Sequence, residues 1–131
     1  MRLLLPLLLV ARLAWADPWL DAVVETVVGA TGGGGDPAHV LGPPRGMGAF
    51  QGSLDTWSLG LGGAIVVAFE DNVVVDGPGP DFTVFENPFL PRGLVTYEPY
   101  AEPGRVSVSA DGTHWVAFPC ALDVGPYYAG C

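Results

Sequence analysis

Lysine is absent from this chain, and five arginines and two histidines stand against 14 acidic residues, a formal net charge of −9. A surface this acidic repels phosphate backbones and anionic headgroups, so nucleic acid and charged bilayers are set aside as partners. It leaves carboxylates open to cations such as calcium. Amphipathic helical periodicity is almost missing, which points away from helical architectures. Catalytic patterns are missing as well: there is no GxSxG, no HExxH and no glycine loop followed by Lys. The glycines at 32–35 precede no strand–helix unit and read as a loop. His39 and His114 are the only imidazoles, and no pattern ties either to a nucleophile. Two carboxylates suited to glycoside hydrolysis can always be found among 14 acids, so their presence argues nothing. The expectation is a protein that is not an enzyme.

Cysteine is scarce too. Cys120 and Cys131 are the only two, and in an oxidising compartment such a close pair reads as one disulfide. Closing a loop of this length stabilises by about 3 kcal/mol in the chain-entropy picture. The alternatives are two free thiols or pairing outside this stretch. No CxxC or His-rich cluster accompanies them, which argues against zinc.

What the chain does have begins with its leader. Residues 1–16, MRLLLPLLLVARLAWA, combine Arg2, an apolar run and an Ala14-Trp15-Ala16 site, the three parts of a cleavable secretory signal. Arg12 interrupts the run well short of the roughly 20 apolar residues that a membrane span needs. No Cys follows, so lipoprotein processing is not indicated. Cleavage before Asp17 leaves one domain, 17–131, with no membrane span and an address that is secreted, periplasmic or on the cell surface. That segment keeps three arginines against all 14 acids, a formal charge of −11.

The rest reads as short strands between Gly/Pro turns. WLDAVVETVV at 19–28 is Val-rich and predicts an N-terminal strand, with a helical turn as the alternative. Residues 29–48 are dense in Gly and Pro and predict an irregular surface segment. GAIVVAFE at 63–70 is the clearest strand; both its faces are apolar, which predicts cover on both sides. Shorter strands are predicted at 73–75 and 82–86. RVSVSA at 105–110 alternates, Val106 and Val108 inward and Ser107 and Ser109 outward. Asp111-Gly112 is a hairpin turn signal, and 114–118 is the returning strand. This pattern predicts an all-β fold, an antiparallel β-sandwich or jelly roll.

Four segments carry a resemblance: DPAHVLGPPRG at 36–46, SLGLGGAIVVAFED at 58–71, DGPGPDFTVFEN at 76–87 and RVSVSADGTHWVAF at 105–118. In order and spacing they resemble a group of bacterial cell-surface proteins with a galactose-binding-like, discoidin-type jelly roll, some with C-terminal surface-sorting tails. The resemblance implies a fold and a surface address, and no reaction. It also implies one further strand after the equivalent of Cys131. A jelly roll has about eight strands, and five or six are readable here. The domain is therefore expected to lack its C-terminal closing strand; the alternative is a smaller sandwich closed by 19–28.

DGPGPDFTVFEN is the richest segment chemically. Pro78 and Pro80 stiffen a loop around which Asp76, Asp81 and Glu86 are spaced. A carboxylate turned inward needs a partner, and calcium, which takes six to eight oxygens, would serve. The alternative is that the aspartates cap turns and Glu86 accepts from backbone amides. Among the aromatics, Trp115 is expected in the core, while Tyr97 and Tyr100, in a Pro/Gly-rich loop, are candidates for stacking on sugar. The expected function is a non-catalytic secreted or surface module that binds glycan or another envelope component, stabilised by calcium or not. A structural or adhesive envelope domain without small ligand is the alternative, and a glycan-active enzyme is the third.

Overall fold

The β-branched run at 64–68 finds its partner in the Val-rich segment near the N-terminus. In the computed structural model, which describes residues 16–46, 50, 52–90 and 104–119, β1 (Ala22–Val27) pairs antiparallel with β2 (Ala64–Ala68). The register runs Ala22↔Ala68 and Val23↔Val67, slips at Val24, and resumes as Glu25↔Val66 through Val27↔Ala64. The slip is a bulge, which sharpens the twist of a strand. Beyond the ladder, Asp21 N–H donates to Ala68 O (3.0 Å) and the Asp21 carboxylate accepts from Glu70 N–H (2.8 Å). The Asn72 side chain donates to Asp17 O. The leader prediction falls on residues 1–15, outside those described.

The glycine-rich segment that follows β1 is more than a spacer. Gly29 N–H donates to Leu59 O (2.8 Å), Ala30 N–H to Leu61 O (3.0 Å), and Gly34 and Ser58 exchange both backbone bonds (2.9 and 3.2 Å). Residues 29–34 thus run against 58–63 at backbone contact distance. A Cβ on Gly63 would stand 1.9 Å from Leu59 O, and one on Gly29 would stand 2.4 Å from the Gly60 carbonyl carbon. Only glycine permits that approach. After it, Asp36 caps a short 3₁₀ turn, Pro37–Val40, accepting from Ala38 N–H at 3.0 Å.

A second unit is a hairpin of β3 (Ser107–Val108) and β4 (Val116–Ala117), in register Ser107↔Ala117 and Val108↔Val116. Its loop is longer than the tight Asp-Gly turn predicted, because the Asp111 carboxylate gathers the loop around itself. Oδ1 accepts from Thr113 and His114 N–H (2.8 Å each), and Oδ2 meets His114 Nδ1 at 2.7 Å. Ser109 Oγ accepts from Gly112 N–H (2.9 Å), which ties Ser109 into the loop. The expected alternation is thereby overridden: Ser107 and Ser109 are half-buried and Val108 is exposed, while Val106 remains half-buried. Trp115 is 46% exposed rather than in a core, its Nε1 donating to Gly112 O (3.2 Å).

Among the described residues the regular structure is two small antiparallel sheets and one 3₁₀ turn, compatible with a β-rich fold. The stretches 73–75 and 82–86, expected as strands, join no ladder among the described residues, and Val73, Val75, Val84 and Phe85 are exposed. Ile65, Val66, Val67 and Ala68 are half-buried, so the two-sided cover expected for β2 is partial. Among the described residues no hydrophobic side chain is fully buried, and no helix is long and apolar enough to cross a membrane.

Candidate functional site

The stiff loop and extended stretch at 79–88 lie against the base of the hairpin. Phe82 and Phe118 meet edge to face, centroids 5.5 Å apart and planes at 67°, a contact worth about 0.5–1.5 kcal/mol beyond its area. Phe118 N–H donates to Val106 O (2.9 Å), which holds that wall to the entry of β3. Between the two segments runs a groove of about 630 Å³. Phe82, Val84 and Phe85 line it from one side, Val106 and Phe118 from the other, and Asp81 and Glu86 are its charged groups.

The two carboxylates differ in environment. Asp81 Oδ1 accepts from Gly77 N–H (2.9 Å), closing the Gly-Pro-Gly-Pro loop on itself. Glu86 is half-buried, and loss of hydration pushes its pKa above the ordinary carboxylate value. The structure therefore brings together two of the three predicted metal-site residues. Asp76 is exposed and does not line the groove. Among the described residues no three His, Cys, Asp or Glu side chains converge to hold a metal ion. Tyr97, Tyr100, Cys120 and Cys131, the predicted stacking and disulfide residues, lie outside the described residues.

Two side-chain clusters lie outside the groove lining and left only slight hints in the sequence pattern. Asn87, at the end of DGPGPDFTVFEN, behaves as a strand neighbour of Ser53. Its Oδ1 accepts from Ser53 N–H (2.5 Å) and its Nδ2 donates to Ser53 O (3.1 Å). Gly52 beside it is fully buried at φ +62°, and a Cβ there would stand 2.7 Å from Asn87 Oδ1. In the second cluster, Asp55 receives Arg45 Nε at 2.6 Å and His39 Nε2 at 3.3 Å, and His39 Nδ1 faces Thr56 O at 3.2 Å. It anchors residues 36–46 to 53–56. A terminal Asn after an alternating run, and a His and an Arg flanking a Gly-Pro-Pro turn, were the available hints.

Among the described residues, neither imidazole forms a relay to a nucleophile. His39 faces a carbonyl and a carboxylate. His114, 90% exposed, shares the single atom Nδ1 between Asp111 and the Thr113 hydroxyl (3.1 Å). Asp111 is held well below the ordinary carboxylate range, first by the His114 backbone bond, then by the His114 side chain and Thr113. The groove brings phenyl faces and two carboxylates to one surface, groups able to stack on and accept hydrogen bonds from a ligand. Comparison with family models, with curated proteins and with solved structures returns no match.

Proposed function

We propose that this chain is an exported, non-catalytic module of discoidin-type β-sandwich architecture that binds a glycan of the cell envelope or its surroundings. One observation carries the proposal. Two of the four segments that bear the resemblance, 76–87 and 105–118, meet in a single groove through Phe82 and Phe118. Phenyl faces suit the C–H face of a pyranose, and carboxylates accept from sugar hydroxyls.

Titration of the full chain with a panel of oligosaccharides, followed by ring resonances of Phe82 and Phe118, is the test. Binding to at least one glycan, lost in a cooperatively melting Phe118→Ala variant, is the expected result. No response to any neutral or charged sugar would overturn it. The second reading, an adhesive or structural envelope domain, is favoured by the exposed valines 73–75 and by Val84 and Phe85. Concentration-dependent self-association without glycan binding would decide for it.

A further inference from the structure

Among the described residues, the lining of the groove at 79–88 carries negative charge and no positive charge. Among the described residues, Asp81 and Glu86 are the ionisable groups that line it and no Arg or His does; the chain has no Lys. Asp81 is already engaged with Gly77 N–H. Glu86 is half-buried and makes no hydrogen bond or ion pair. A carboxylate withdrawn from water and left without a partner is unfavourable, and a cation placed against it relieves that cost. Phe82, Phe85 and Phe118 add π-faces that attract cations and tolerate an apolar ring. A cationic group on a ligand would supply the complementary charge.

Building on the glycan reading above, we infer that the groove selects glycans bearing free amino groups. A protonated hexosamine unit lies with its ring against the phenyl groups and its ammonium between Glu86 and Asp81. N-acetylation removes the charge, so the acetylated sugar keeps only the stacking. Uronate and sulfated glycans meet two like charges and are rejected.

The test compares three probes on the full chain: a β-1,4-glucosamine oligomer, the N-acetylated oligomer of equal length, and trilysine. The pH is kept low enough to protonate the amines and high enough to ionise Glu86. The glucosamine oligomer binds about tenfold tighter than its acetylated counterpart, the size of one charge-assisted hydrogen bond. Glu86→Gln brings that ratio close to one and leaves the acetylated oligomer within about twofold. Should that variant misfold, added salt erases the same preference in the wild-type chain by screening. Equal affinity for the two oligomers would overturn the amine inference and leave the glycan reading standing. Binding of neither would overturn both. Trilysine binding as tightly as the glucosamine oligomer would show a bare cation site and overturn the inference. A preference that survives both Glu86→Gln and Asp81→Asn would place the site elsewhere.

Discussion

The two sheets are held by different means. The β1–β2 unit is fixed by backbone meeting backbone across long sequence separations: Gly29 to Leu59, Gly34 to Ser58, Ala22 to Ala68. The β3–β4 hairpin is fixed by side chains that serve their own neighbours, with Asp111, Ser109 and Trp115 all bonding within a few residues. In the first unit the residue that matters is the one without a side chain. In the second it is the one with the most acceptor capacity. Tolerance to substitution should follow the same division: steric in one unit, chemical in the other.

Gly63→Ala tests the steric half and has the largest expected effect. A Cβ placed 1.9 Å from Leu59 O cannot be accommodated without separating the two segments. The expected loss is about 3 kcal/mol or more, the range of severe single substitutions, visible as a collapsed cooperative melt. A variant that melts like wild type would show that the crossing of 29–34 over 58–63 is dispensable.

Asn87→Ala probes the junction, where a side chain stands in for a strand. It removes both bonds to Ser53, with an expected cost of about 1–3 kcal/mol from donors and acceptors left unpaired. Amide exchange at Ser53 should accelerate in step with the lost stability. Unchanged exchange would mean that Ser53 is held by something other than the Asn87 amide.

Asp111 provides the smallest and most local test. Its folded-state pKa is depressed, so its stabilising bonds are fully present above the ordinary carboxylate pKa and vanish as pH falls through the folded value. Carboxyl-detected NMR should find Asp111 still ionised at acidities where ordinary aspartates are protonated. Asp111→Ala should abolish the pH dependence of the hairpin amides and leave the β1–β2 amides untouched. Titration in the ordinary aspartate range would show that the loop bonds are not formed in solution.

The same division explains what was readable in the sequence. β1 and β2 follow from β-branched runs at 22–27 and 64–68, and the position of the hairpin follows from Asp111-Gly112. The bulge at Val24 had no signal, since register is a property of two strands together. The glycines at 29–35 read as loop, because their partner at 58–63 lies some thirty residues away and only the pairing shows the need for bare backbone. Alternation failed at 106–109 for a local reason: the Ser109 hydroxyl had a better use in the loop than in solvent. Two-residue strands also cover too little surface to bury Trp115. Of the candidate site, Asp81 and Glu86 were readable as carboxylates on a stiff loop. The aromatic wall was not, since Phe82 and Phe118 meet only in the fold.

The bond pattern at Asn87 bears on chemical ageing. Asparagine side chains deamidate when the backbone nitrogen of the next residue attacks the side-chain amide and closes a succinimide ring. Here the next residue is Pro88, whose nitrogen carries no proton to lose. Conversion to aspartate would replace the Nδ2 donor facing Ser53 O with a second acceptor, setting oxygen against oxygen. Proline at 88 therefore shields the one amide whose hydrolysis would unfasten Ser53.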